Sequence, residues 1–269
     1  MQGVKTYYQS KAGTILVGSE NKWWKKSYIG DYISIAILAI AGGLIALLVP
    51  PYHRYLPPND LTVRFPERPD IIPAWLLIIF ALVLPILVFV VFQFHHKSKH
   101  DLHHAVLGLL ASFCLALFVT SALKSLAGRY RPDYWYNPNK NYDSRSSFPS
   151  GHSSTSFSGL GFLSCYFSGK LHIFSRHTGG TLPRALLAFS PITISFFIAV
   201  SRTMDYHHNF DDIIAGGLLG AICAFFCYFL YYPSLFHVDS HLPKLATVTL
   251  RETEADSVGA NQPLTPPSP

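Results

Sequence analysis

Charge is what this sequence has least of. Asp, Glu, Lys and Arg make up 13% of its 269 residues, about half the share usual in a soluble globular domain. Cysteine is also scarce. The four present, Cys114, Cys165, Cys223 and Cys227, all fall inside apolar stretches. That placement excludes a disulfide framework and reads as packed, reduced thiols. No Cys or His cluster has zinc-finger spacing, so neither a metal nor another cofactor is expected. The first thirty residues lack the apolar core of a cleavable signal peptide. No Asn-X-Ser/Thr glycosylation sequon occurs. The formal net charge of +6 needs no nucleic-acid partner, because cationic flanks beside a membrane account for it.

What the chain does have is long apolar runs. Six stand out, at Ile33–Leu48, Ala74–Phe94, Ala105–Leu123, Ser153–Phe167, Ala185–Val200 and Ile213–Tyr232. A membrane-spanning helix takes about 20 mostly apolar residues. The second, third and sixth runs meet that length, and the first and fifth meet it with their flanks. The fourth, SSTSFSGLGFLSCYF, is rich in Ser and Gly. It fits a span buried within a bundle, where small residues let helices approach closely. Pro85 and Pro191 lie inside runs, as membrane helices tolerate when neighbours satisfy the freed carbonyls. Trp23, Trp24, Trp75, Tyr231 and Tyr232 stand near run ends, where interfacial aromatics sit.

The fold class expected is therefore an all-α integral membrane protein, a six-transmembrane-helix bundle. Residues 1–28 form an N-terminal segment, 29–235 the membrane domain, and 236–269 a polar, Pro-rich tail expected to be disordered. Six spans put both termini on one side, and Lys and Arg lean to that side, which makes it the cytoplasmic one. The oligomeric state is left open by the sequence.

Three short segments flank spans on the opposite side. KSLAGRYRP (124–132) follows the third run, FPSGHSS (148–154) opens the fourth, and SRTMDYHHNFDD (201–212) joins the fifth to the sixth. Lys124, Arg131 and Arg202 bring three cations to an apolar boundary, where charge is costly unless it meets an anion or water. Ser150, Gly151 and His152 lead into a helix, whose N-terminus offers free N–H groups to an anion. In the third segment two His-x-x-x-Asp pairs overlap, His207 with Asp211 and His208 with Asp212. On a helical turn either pair shares a face, and a carboxylate bonded to one ring nitrogen prepares the other for attack. Cations, backbone N–H groups and a nucleophilic histidine together describe phosphoryl transfer without a metal.

The three segments resemble the signature motifs of the type 2 phosphatidate phosphatase superfamily, the lipid phosphate phosphatases: K-x6-RP, PSGH and SR-x5-H-x3-D. Lys124 to Pro132, Pro149 to His152 and Ser201 to Asp212 match in order and without gaps. The first outer loop, PNDLTVRFPERPDIIPAW, resembles that of the fungal and plant members, and the similarity covers about residues 25–235. The resemblance implies that His208 is the nucleophile, Asp212 its orienting carboxylate and His152 the leaving-group acid. It gives phosphate binding to Lys124, Arg131 and Arg202, assisted by Ser150 and Gly151. His207 and Asp211 are left without a catalytic role. It also implies an active site on the lumenal or extracellular face and a membrane phospholipid substrate: phosphatidic acid, lysophosphatidic acid or diacylglycerol pyrophosphate. A polyprenyl or dolichyl pyrophosphate phosphatase of the same superfamily and a non-catalytic lipid-binding relative are the alternatives. The loop at 133–148 is short, polar and aromatic, so the entrance it would form does not name the substrate.

Overall fold

A computed structural model describes residues 6–10, 13–17, 26, 28–136, 143–175 and 179–244. The polar tail beyond 244, expected to be disordered, lies outside the described residues. A short antiparallel hairpin, β1 (Thr6–Ser10) with β2 (Gly13–Val17), precedes an otherwise helical chain. The helices are α1 (Tyr28–Leu48), α2 (Ala74–Ile78) running through a π turn (Ile79–Val83) into α3 (Leu84–His96), α4 (Lys99–Ala127), α5 (Gly151–Lys170), α6 (Leu182–Met204) and α7 (Phe210–Tyr231).

Among the described residues, five helical stretches are long and apolar enough to cross a membrane: α1, the α2–α3 unit from Ala74 to Phe94, α4, α6 and α7. The protein is a multi-pass membrane protein. α5 is the helix whose composition falls short, and its position explains why. From 153 to 169 every residue except Thr155 is buried, and α5 packs against α4, α6, α7 and the π turn. It is the central column of the bundle, and small residues there allow close approach. Its hydroxyls turn inward onto carbonyls, Ser158 onto Thr155 at 2.9 Å and Ser168 onto Ser164 at 2.8 Å. Thr120 of α4 reaches Ser154 at 2.8 Å, and Ser195 of α6 reaches the Ser156 carbonyl at 3.1 Å.

The layering is inverted relative to a soluble protein. Ile33, Ile37, Ile40, Leu44 and Leu47 of α1 are exposed, as are Ile214, Leu218 and Ile222 of α7. These residues recur at helical spacing, so each outer helix turns an apolar stripe away from α5.

Both prolines have local solutions. Pro85 has no N–H to give to the carbonyl of Ala81, four residues back. The π turn falls there, and Gly159 of α5 presses against that carbonyl so closely that a Cβ would collide with it. Pro191 deprives the Leu187 carbonyl of its donor, and the Ser190 hydroxyl supplies one at 2.9 Å.

The C-terminal ends of α4 and α6 meet the N-terminal ends of α5 and α7 at one end of the bundle, as the hydrogen bonds between them show. At the other end Lys170 pairs with buried Asp101 at 2.8 Å, and the hydroxyls of Tyr166 and Tyr232 both donate to Asp101 at 3.0 Å. Lys170 also reaches the His241 carbonyl at 2.5 Å, and Leu242 is buried. The first residues of the segment after 235 are thus packed as turns against the bundle.

Candidate active site

Four chain segments build the site. α4 ends at Gly128, whose left-handed φ of 55° closes the helix with an N–H bond to the Lys124 carbonyl at 3.2 Å. A side chain there would strike the Tyr52 carbonyl, so glycine is required on both counts. The chain then runs beside residues 144–147, with Arg131 N–H on Ser144 O and Ser147 N–H on Arg129 O, both at 3.0 Å. The loop before α2 lies across these, with Phe65 N–H on Pro132 O and Trp135 N–H on Val63 O, again at 3.0 Å. Phe65 stacks on Tyr206, ring centres 4.9 Å apart, which joins the loop to the α6–α7 turn.

The structure brings the sequence-identified residues to this one end. His208 is buried. Its Nδ1 stands 3.7 Å from Asp212 Oδ2, with the Ser147 hydroxyl between them, 3.4 Å from Nδ1 and donating to Asp212 at 2.7 Å. Asp212 is wholly buried and also accepts from Arg129 at 2.9 Å and from the Asn209 N–H at 3.0 Å. That last bond belongs to a capping box opening α7. The two residues therefore do not share a helical face, as the four-residue spacing suggests. His208 precedes the N-cap, and Asp212, on the first turn, folds back towards it.

The overlapping pair does not form. Asp211 is mostly exposed and pairs with Arg129. His207 points elsewhere, its Nδ1 3.1 Å from Asp205 and its Nε2 3.6 Å from Asp70. The reason is backbone geometry: Tyr206 adopts a φ of 60°, which breaks helical periodicity before His207.

Lys124 donates to the Ser146 carbonyl. Arg131 pairs with Asp143 at 2.6 Å. Arg202, almost wholly buried, bridges Asp70 and Asp205 at 2.8 Å each, and its Nε has no hydrogen-bond partner among the described residues. Ser150 spends its hydroxyl capping α5, and its N–H bonds to the Asp212 carbonyl at 3.0 Å. Gly151 leaves room for the Lys124 side chain, whose Cε lies 3.7 Å from where a Cβ would stand. His152 donates from Nε2 to the Ile72 carbonyl at 2.9 Å, since a carbonyl can only accept. Its Nδ1 is the nitrogen left for proton exchange.

Burial, followed by the charges of Lys124, Arg131 and Arg202, holds the His208 imidazole well below its usual pKa. The result is a neutral ring surrounded by cations, with Nδ1 turned to Ser147 and Asp212. Such a ring is a nucleophile, and such cations neutralise an incoming oxyanion.

Sequence reasoning missed four contributors. Arg129 and Ser147 sit within or beside the motif segments and were within its reach. Asp205, where α6 ends, lies inside the 201–212 segment and was within reach as well, whereas Asp70, in the loop before α2, carries no local signal.

The comparisons agree with this geometry. A family model described as the PAP2 superfamily matches residues 105–235. A PA-phosphatase related-family protein of Dictyostelium discoideum is 41% identical over 234 residues, covering 82% of this chain and 86% of that protein. Lipid phosphate phosphatase 2 of Arabidopsis thaliana is 33% identical over 252 residues, covering 84% and 86%. Diacylglycerol pyrophosphate phosphatase 1 of Saccharomyces cerevisiae is 30% identical over 221 residues, covering 72% and 75%. No solved structure matches significantly. The chain belongs to the PAP2 superfamily and is a membrane-embedded hydrolase of the lipid phosphatase type.

Proposed function

We propose that the protein hydrolyses the phosphate of phosphatidic acid and related lipids, lysophosphatidic acid and diacylglycerol pyrophosphate among them, through a phosphohistidine. His208 Nε2 attacks phosphorus, and the ester P–O bond breaks. Protonated His152 gives its proton to the departing oxygen. Water, giving a proton to the now neutral His152, then attacks phosphorus, the N–P bond breaks, and phosphate leaves. Asp212 steadies the imidazolium character that develops on His208. Lys124, Arg131 and Arg202, with the Gly151 N–H at the start of α5, take up the charge on the phosphoryl oxygens. Ser150 acts through its backbone and its cap. The observation that carries this reading is the buried His208 with its Nδ1 facing Ser147 and Asp212, in the field of Lys124, Arg131 and Arg202.

In this reading α5 is a sixth crossing, both termini are cytoplasmic, and the site opens to the lumen or the exterior. What supports the sixth crossing is α5's central position and the alternation of helix ends around the site. The names of the relatives in plants and yeast support the lipid substrates. The yeast name in particular favours diacylglycerol pyrophosphate as one of them.

The test is phosphate release by the purified protein in detergent micelles containing EDTA. The substrates are phosphatidic acid, lysophosphatidic acid, diacylglycerol pyrophosphate and a polyprenyl pyrophosphate. Release from the glycerolipids, blocked by vanadate, is the expected result. Release from the polyprenyl compound alone would transfer the assignment to the isoprenoid reading. A folded protein inert on all four would sink the enzyme reading.

Ser147 gives a finer check. Its hydroxyl donates to a buried carboxylate, a bond worth about 1.5–3 kcal/mol. Ser147→Ala should lower kcat about 10- to 100-fold and leave KM close to that of the parent. An unchanged kcat would mean that Asp212 is held without it.

A further inference from the structure

Beside the phosphate site lies a second polar cluster that the mechanism does not use. It gathers Asp70 from the loop before α2, Asp133 from the segment after α4, and Asp205 and His207 from the α6–α7 turn. The left-handed Tyr206 sits between Asp205 and His207 and turns both back towards Asp70. One ligand-capable atom from each of Asp70, Asp205 and His207 lies within 4.8 Å of the others. We propose that this cluster binds a divalent cation, Mn2+ or Zn2+, at a site separate from the phosphate pocket.

Three observations carry the assignment. The first is the orientation of His207. Its Nδ1 faces Asp205, 3.1 Å from both a carboxylate oxygen and the backbone carbonyl. Those atoms accept, so Nδ1 donates, and in the neutral ring that leaves the lone pair on Nε2. This is the arrangement in which a ligating histidine is held by a carboxylate at its other nitrogen.

The second is what Nε2 faces. Asp70 Oδ1 lies 3.6 Å away and Asp133 Oδ2 lies 4.0 Å away. Both gaps are too long for hydrogen bonds. They lie near the separation of about 3.3 Å between neighbouring ligands of a tetrahedral ion with bonds of about 2.0–2.2 Å. A nitrogen and two carboxylates spaced in this way want a cation between them rather than a proton.

The third is Asp133. It is wholly buried, and neither of its carboxylate oxygens finds a hydrogen-bond partner among the described residues. An uncompensated buried carboxylate is costly, and this one is turned to the gap in front of His207. Three carboxylates converge here, and Arg202 is the cation bonded to two of them. Asp70 has a second oxygen left for an ion, whereas Asp205 gives one oxygen to Arg202 and the other to His207 and so stands behind the histidine. Imidazole nitrogen with carboxylate oxygen suits Zn2+ and Mn2+ better than Ca2+, which takes oxygen alone. Asp70 and Asp205 are 135 positions apart in the chain, so no spacing rule could have found the set.

The site ties together the loop before α2, the segment after α4 that carries Arg131 and the α6–α7 turn that follows Arg202, and its occupancy does not depend on the lipid reading. The experiment is isothermal titration of the full-length, detergent-purified protein, stripped with EDTA and then freed of it, with MnCl2 and with ZnCl2. No substrate is present, so the outcome is independent of whether the enzyme turns over any lipid. One saturable site is expected, with affinity lowered tenfold or more in Asp70→Asn and in Asp133→Asn. Asp70 is half-exposed on a loop, so Asp70→Asn decides the matter even if the buried substitution impairs folding. No saturable binding of either ion would overturn the proposal. Binding that survives unchanged in Asp70→Asn would overturn it as well, because it would belong to histidines elsewhere, such as those near the start of α4.

Discussion

His208→Ala should abolish phosphate release, by a factor on the order of 10^4 or more as for other covalent nucleophiles, while His207→Ala should keep most of the activity. The two residues are adjacent, and composition cannot tell them apart. Their surroundings can. His208 is buried, touches Ser147, faces Asp212, and lies in the field of Lys124, Arg131 and Arg202. His207 turns to three carboxylates and contacts none of those cations among the described residues. The measurement is phosphate release from phosphatidic acid in EDTA, with far-ultraviolet circular dichroism to show that each variant is folded. The reverse pattern, with His207→Ala dead and His208→Ala active, would place the chemistry on the acidic side of the turn and remove the phosphohistidine assignment for His208.

Gly220→Ala should disrupt the protein more than any other single added methyl on α7. A Cβ at 220 would collide with the Ser154 carbonyl and stand 2.9 Å from both Phe157 Cβ and Ser158 N. Gly216, one turn earlier, has the Ser150 carbonyl 2.5 Å from its would-be Cβ. These are backbone atoms of a central helix and cannot move aside, so α7 itself must shift. Overpacking of this kind costs about 1–3 kcal/mol. The shift also moves Asp212 away from the segment that holds Ser150 and His152, so activity should fall with stability. Gly43 of α1 has nothing within 4 Å of its would-be Cβ. Gly43→Ala is the control: it should hold or raise the melting temperature, because alanine is the better helix former. Thermal melts in one detergent decide the comparison. Equal melting temperatures for Gly220→Ala and the parent would show that α5 and α7 are not seated as closely as described.

Much of this was legible in advance, and the gaps have physical causes. The long apolar runs marked α1, the α2–α3 unit, α4, α6 and α7 because lipid-facing residues must be apolar. The same rule does not apply to α5, which faces other helices, so its Ser and Gly content keeps it below the hydropathy of a lipid-facing span, and it was its small residues that marked it as a buried one. The motif spacings placed Lys124, Arg131, His152, Arg202, His208 and Asp212 at one end of the bundle, because the ends of adjacent antiparallel helices are neighbours. The spacing misread how His208 meets Asp212. A four-residue interval suggests a helical face, but a capping box and a left-handed Tyr206 achieve the approach by folding back. Asp70 could not be read at all. Its link to Arg202 spans 132 positions and depends on where the loop between α1 and α2 comes to rest.

The inverted layering separates two problems that are fused in most proteins. What makes this chain need a membrane is its outer coat, the stripes of Ile33, Ile37 and Leu44 on α1 and of Ile214, Leu218 and Ile222 on α7. What makes it fold to one shape is an inner seam of hydroxyls and glycines between α5 and its neighbours. The two sets of residues share no member. Solubility and architecture are therefore written in different letters of the same sequence, and the coat could be rewritten for water while the seam, and the histidine it positions, is left as it stands.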